Sequence, residues 1–279
     1  MAFPVPVNLS PSRVEAFTSC PLAFRFASIE KLPEPPRAHT TKGSLVHRAL
    51  ELLFTGCRPA QRTPDAGLAA LAQATVEYEP ELAAIGLSPE DDAALRADTV
   101  RLVRRYFEME DPRTITDIGV ELYLEAQVGR LTLRGIIDRL ELDDEGGLIV
   151  TDYKTGRPPM AEREQRRLGG VHFYAFLCHQ VFGQRPAQIR LMYLSSGEVI
   201  TVRPSEQSIQ FLPRRTAAVW HAVERACEAG DFRPRPGALC DYCAFKTWCP
   251  SFGGDPDRAK FEAPVAYATG PVQLPLVPA

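Results

Sequence analysis

The stretch GIIDRLELDDEGGLIVTDYKTG, Gly135–Gly156, decides how this chain folds. Runs rich in Ile, Leu and Val lie on either side of Asp143–Gly147, a cluster of turn-forming residues, so the segment reads as two antiparallel strands. With the turn centred on Glu145, Asp138 and Asp152 are equidistant from it and stand opposite each other, Cβ atoms about 4.5–5.5 Å apart. Carboxylates that close repel, and keeping them in an apolar sheet is costly unless a cation lies between them. Asp152 and Lys154, two apart on one strand, point to the same face, while Tyr153 points away. The pattern supplies hard oxygen ligands for Mg2+ or Mn2+ and an ammonium able to offset charge on a phosphate. The competing reading is a structural ion pair of Lys154 with either aspartate. The apolar run Leu148-Ile149-Val150, which marks a buried strand, argues against it.

Outward from this hairpin, period-two patterning extends back to Ile118 through a turn at Val128-Gly129-Arg130. Ser10-Pro11 opens a first helix, ended by Cys20-Pro21. A helix from Leu45 to Phe54 carries His47 and Glu51 on one face. Residues from about 55 to 112 read as a helical insert whose longest helix runs from about Pro89 to Glu110. Beyond the hairpin come a helix around Arg163–Phe182, a strand pair over Gln188–Arg203 and a helix from Ser205 to about Ala229. Strands flanked by helices predict an α/β domain around a mixed sheet, residues 1–262, with a flexible tail over 263–279.

With 279 residues, 45% hydrophobic and 24% charged, the chain is long enough for one elaborated domain. No apolar run approaches the roughly 18 residues that cross a membrane. The opening MAFPVPVNLS is short and proline-broken for a signal peptide, so a cytoplasmic location is expected. A net charge of −3 argues against nonspecific coating of nucleic acid by bulk charge. Two arginine groups, Arg101/Arg104/Arg105 and Arg157/Arg163/Arg166/Arg167, are either local basic surfaces or solvated helix faces.

Gly43-Ser44-Leu45-Val46-His47, Gly135-Ile136-Ile137-Asp138-Arg139 and Asp152-Tyr153-Lys154-Thr155-Gly156 together resemble the ordered motifs of the PD-(D/E)XK nuclease superfamily, in its RecB-like branch. The resemblance runs from about Leu9 to Pro250 and implies a restriction-endonuclease-like sheet. It implies that His47, Asp138 and Asp152 bind the catalytic metal, that the Tyr153 carbonyl completes its shell, and that Lys154 is the catalytic lysine. Arg139 is a DNA-contact candidate, or else pairs with a neighbouring acid; Glu51 assists through water, or is a solvated residue. The family's Gln-Leu-x-x-Tyr is incomplete: aligned on Tyr174, Gly170 and Val171 occupy the Gln-Leu positions. Tyr174 and Gln165 are therefore the DNA-positioning candidates on that helix.

Seven cysteines without an export signal point to metal rather than disulfides. Cys240-x2-Cys243-x5-Cys249 supplies three thiolates, and Cys20 is the natural fourth. The same one-plus-three arrangement occurs in iron–sulfur nucleases of this superfamily, AddB-type subunits and CRISPR-adaptation nucleases, so the resemblance implies a [4Fe–4S] cluster. Zn2+ is the competing occupant. Either would join the first helix to the C-terminal segment across roughly 220 residues.

The expected function is a metal-dependent DNA exonuclease of repair or recombination, acting on single-stranded or end-containing DNA. No GxxxxGK[ST] phosphate loop occurs, so any helicase would be a separate partner. The alternatives are a CRISPR-adaptation nuclease that trims spacer precursors and a catalytically silent DNA-end-binding subunit; a binder has no need of the paired acids. In the tail, Gln273, Leu274 and Leu276 form a short peptide resembling those that dock on the bacterial sliding clamp.

Overall fold

The structure is a computed structural model and describes residues 2–158 and 164–267, the side chains of 164–169 excepted. A short strand, β1 (Asn8–Leu9), leads into α1 (Pro11–Ser19), whose first turn is capped by the Ser10 hydroxyl accepting from the Arg13 N–H. Cys20 separates α1 from α2 (Pro21–Phe24). The helix bearing His47 is longer than expected: α3 spans Ala38–Gly56. Its additional turns are held because Thr41 is fully buried and donates its hydroxyl to Glu81 of the insert.

The insert consists of α4 (Pro64–Glu77), α5 (Glu79–Ile85) and α6 (Pro89–Met109), with Thr63 and Ser88 capping the first and last. Its apolar residues Leu71, Ala74, Leu82, Leu95 and Val103 close on Leu45 and Ala49 of α3.

The sheet follows: β2 (Asp117–Val128), β3 (Leu131–Leu142), β4 (Leu148–Lys154), then α7 (Glu164–Phe182), β5 (Gln188–Tyr193), β6 (Glu198–Val202) and α8 (Glu206–Ala229). The β2–β3, β3–β4 and β5–β6 pairs are antiparallel and β4–β5 is parallel, so the sheet is mixed, as expected. Gly129 and Gly146, at φ 62° and 79°, form the two hairpin turns without the steric penalty a side chain would bring. On β5 the alternation is plain. Ile189, Leu191 and Tyr193 join a core with Phe173, Leu177 and Trp220 of α7 and α8, whereas Met192 joins a core with Leu50, Leu53 and Tyr106 of α3 and α6.

One irregularity of the sheet places the functional site. β2 runs along one edge of β3 from end to end, which leaves the other edge to be shared. β4 pairs there only with residues 139–142, and β1 only with 132–133. The stretch between, Arg134 to Asp138, has no ladder partner on that edge. Gly135 lies within it because a Cβ there would approach Leu177 to 3.0 Å and Tyr174 to 3.5 Å; glycine lets α7 press onto the strand.

The expected tail boundary at 263 is too early. Helix α9 (Ala259–Ala266) carries the fold to Tyr267, with Ala263 fully buried and the Tyr267 hydroxyl donating to the Ala244 carbonyl at 2.7 Å. Gln273, Leu274 and Leu276 lie outside the described residues. Among the described residues, no helix is long and apolar enough to cross a membrane.

Candidate metal centre

The β3–β4 register runs Leu140 to Val150 and Arg139 to Thr151, and one step further sets Asp138 across from Asp152, as a turn centred on Glu145 requires. The ladder stops at that step. β4 continues along β5 as far as Lys154, and its freed Tyr153 N–H donates to the Asp138 carboxylate at 2.6 Å. A backbone donor left without a strand partner is thereby satisfied by the side chain at the centre of the site.

Helix α3 brings His47 to the same point. Its Nε2 lies 3.0 Å from the Tyr153 carbonyl oxygen, and its Nδ1 lies 3.6 Å from Asp138. A further acid, Glu121 of β2, stands 3.8 Å from His47 Nδ1. The ligand atoms of His47, Glu121 and Asp138 all fall within 4.8 Å of one another. Asp152 is not part of that group of three: its buried carboxylate is turned to Lys154, whose Nζ sits 2.5 Å away on a side chain nearly half exposed.

Glu121 was not among the sequence candidates. Its pairing neighbours, Val120 with Arg139 and Leu122 with Ile137, put it opposite Asp138, and it adopts φ 46°, a left-handed conformation costly for a residue with a side chain. The turn at Val128–Arg130 comes within one residue of the signal. Counted from Gly129 it sets Asp138 against Val120, and only the two-residue turn Gly129-Arg130 found in the structure pairs Asp138 with Glu121.

The electrostatics are those of crowded anions. Burial raises the Asp138 pKa, the charge of Asp152 raises it further, and His47 only partly offsets both. Burial opposes a charge on His47, but the neighbouring carboxylates of Glu121, Asp138 and Asp152 outweigh it and push the imidazole up to about 9. The Lys154 pKa is likewise raised: burial works against its charge, and Asp152 and then Asp138 overcome that. This arrangement suits a divalent cation, which would exchange acid–acid repulsion and a bound proton for direct coordination.

Two sequence candidates fall elsewhere. Arg139 makes no DNA contact from its position: its side chain is fully buried, in ion pairs with Glu110 and Glu141. It also donates to the Tyr153 hydroxyl at 2.7 Å. Of its two sequence readings, pairing with neighbouring acids is the one found, because Arg139 points to the opposite face of β3 from Asp138. Glu51 pairs with Arg48 at 2.8 Å. Tyr174 lies close to the acids; burial first, then the charges of Asp152 and Asp138, hold its hydroxyl well above the usual phenol range. Gln165 is on α7, with its side chain outside those described. In the first arginine group, Arg101 and Arg105 pair with Asp98 and Glu108 along α6; in the second, Arg163 and the side chains of Arg166 and Arg167 lie outside the description.

Cys20, Cys240, Cys243 and Cys249 are all free thiols and line one cavity, although Cys20 is far away in sequence. Gly237 N–H points at Cys240 Sγ, 3.3 Å away. Around them Phe17, Phe24, Phe26, Phe245 and Trp248 form a core of their own with Val223 and Cys227 of α8.

Comparison with known proteins matches this geometry. Residues 8–250 fit the PD-(D/E)XK nuclease superfamily. The Gene 69 protein of Mycobacterium phage D29 is 24% identical over 267 residues, covering 87% of this chain and 96% of the phage protein. An ATP-dependent helicase/nuclease subunit of Moorella thermoacetica is 32% identical over 151 residues, 47% of this chain and 10% of the Moorella protein. A solved structure from Eubacterium rectale, provisionally named an exonuclease, shares the fold at TM-score 0.51 and 12% identity, over 85% of this chain and 87% of that one. With its His47, Asp138, Asp152 and Lys154 gathered where β3 and β4 part, the chain belongs to the PD-(D/E)XK nuclease superfamily.

Proposed function

We propose that this protein is a Mg2+- or Mn2+-dependent deoxyribonuclease, an exonuclease on single-stranded or end-containing DNA in repair or recombination. The observation that carries the reading is the convergence of His47, Glu121 and Asp138 beside the Tyr153 carbonyl, with Asp152 and Lys154 on the adjoining strand. His47, Asp138, Asp152 and the Tyr153 carbonyl would hold the ion, joined by Glu121. Bound there, a divalent cation supplies Lewis acidity toward the scissile phosphate and lowers the pKa of water.

The chain's own groups do the rest. Lys154 lies on the open side of the acids, where its ammonium meets the phosphate oxygens and offsets their growing charge as water attacks phosphorus and the bond to the leaving oxygen breaks. Asp138 is fixed by the Tyr153 N–H, so its orientation does not depend on the substrate. Tyr153 is itself anchored through its hydroxyl to Arg139.

The four cysteines fit a [4Fe–4S] cluster. They are the thiolate donors such a cluster takes, and they line one cavity. Zn2+ takes the same four thiolates and is the competing occupant. The cluster's part is structural, joining α1 to the segment around Cys240–Cys249. A separate helicase supplies unwound strands, the tail peptide Gln273–Leu276 docks on a sliding clamp, and the protein works in the cytoplasm.

The test is digestion of labelled DNA with Mn2+ by the wild type and by Asp152→Ala. Loss of cutting in the variant supports the reading, and equal digestion by both defeats it.

A further inference from the structure

A groove of about 1000 Å3 opens beside the acids, and Asp152 and Lys154 form part of its lining. Its other walls come from α1, from β2 and β3, and from α7 and α8, so it extends well past the reacting centre. Two features of its surface are unusual for a crevice that serves only to enclose a metal.

The first is charge. Arg134 of β3 and Arg215 of α8 both line the groove. Among the described residues neither is in an ion pair, although Glu125 of β2 stands opposite Arg134 in the strand register; buried arginines of the fold such as Arg25, Arg62 and Arg139 are all paired. Arg134 faces more positive charge: burial and the Arg134 guanidinium together hold Arg13 below its ordinary pKa. Guanidinium groups on the wall of a groove fit a polyanion.

The second feature is apolar. Tyr123 and Ile136 are directly opposed across β2 and β3, both line the groove, and they stay 49% and 39% exposed. Their neighbours on the same strands bury apolar surface under α7. A duplex offers its phosphates and groove edges and keeps its base faces stacked inside; an unpaired strand offers both phosphates and bare base faces. Guanidinium groups beside an exposed aromatic–aliphatic pair match the second.

We propose that this groove binds unpaired DNA, with Arg134 and Arg215 on its phosphates and Tyr123 and Ile136 under its bases, so that one strand is led to Lys154 and the acids. The proposal rests on the nuclease reading and adds to it the form of the substrate and the residues that select it. None of the four is a ligand to the metal; they position the strand.

The experiment measures binding of a fluorescent single-stranded oligonucleotide, and of a blunt hairpin duplex, to the full protein with Ca2+ in place of Mg2+. Wild type should bind the single strand the more tightly. Arg134→Gln with Arg215→Gln should weaken that binding at least tenfold and flatten the salt dependence by about 0.7 in log–log slope for each phosphate the protein no longer neutralises. Tyr123→Ala should cost roughly fivefold or more, without changing the salt slope. Melting temperature and far-ultraviolet circular dichroism should match the wild type in all these variants and certify their fold. Wild-type affinity and slope in the double variant, with cutting intact, overturns the groove assignment and leaves the nuclease reading standing. Equal or tighter binding of the duplex by the wild type also overturns it. Absence of both DNA binding and DNA cutting in the wild type overturns the two together.

Discussion

Tyr153 is held at both ends: its N–H donates to Asp138 at 2.6 Å, and its hydroxyl accepts from Arg139 at 2.7 Å on the opposite face of the sheet. One residue thus connects the acidic centre to a buried ion network of Arg139, Glu110, Glu141 and Arg190, in which Glu110 closes the helical insert onto the sheet. The motif's two halves, Asp138-Arg139 and Asp152-Tyr153, are one mechanical unit.

Arg139→Met removes the centre of that network and leaves Glu110 and Glu141 buried with Arg190 as their remaining partner. Breaking a buried charge pair from one side costs about 3–5 kcal/mol. Urea unfolding should show that loss. A DNA-contact role would instead lower DNA affinity at unchanged stability.

Glu121→Gly relieves the positive φ, which is worth about 1 kcal/mol or more, and also removes a crowding carboxylate. Above pH 9, where His47 is neutral and gains nothing from Glu121, the metal-free variant should therefore melt at a higher temperature than wild type, and at neutral pH it should bind Mn2+ more weakly. Melting scans and metal titration on the same sample check both halves.

The pKa values of His47, at about 9, and Asp138 are both raised in the metal-free fold, so the native state holds more protons than the unfolded chain. The stabilising charge on His47 is fully present below its unfolded value near 6.5 and is lost as pH rises through about 9. Asp138 acts in the same direction from the ordinary carboxylate range upward, because its ionised form is disfavoured once folded. Melting temperature without metal should fall as pH climbs from about 5 to 9. Mn2+ should flatten the fall and release protons on binding, measurable by calorimetry in buffers of different ionisation heat.

The proposed cluster predicts brown protein with iron and sulfide on anaerobic purification, and Cys20→Ser should abolish both and loosen α1, whose last turn Cys20 follows directly. Colourless wild-type protein with one equivalent of zinc would transfer the site to zinc.

Much of this was legible in the sequence because strand pairing is arithmetic. A turn centred on Glu145 placed Asp138 across from Asp152, and the strands and helices after it follow their periodicity. What escaped were features set by three-dimensional packing. The left-handed backbone of Glu121 has no residue-type signature, and Arg139 is indistinguishable from a surface arginine until the insert is seen to lie over it with Glu110. The start of α3 was missed because Thr41 is stabilised by Glu81, a partner supplied only by tertiary structure. The α9 turn after Glu262 reads as tail because its alanines bury against aromatic residues distant in the chain's pattern rather than alternating with charge.

The proposed metal site rests on the convergence of His47 with the acids of β2 and β3. Electron paramagnetic resonance titration of Mn2+ into the wild type and Asp138→Asn tests it most directly, since asparagine keeps an oxygen for the Tyr153 N–H and removes the charge. A bound Mn2+ signal should appear in the wild type and be lost or sharply weakened in the variant. Undiminished Mn2+ binding by Asp138→Asn, or none by the wild type, contradicts it.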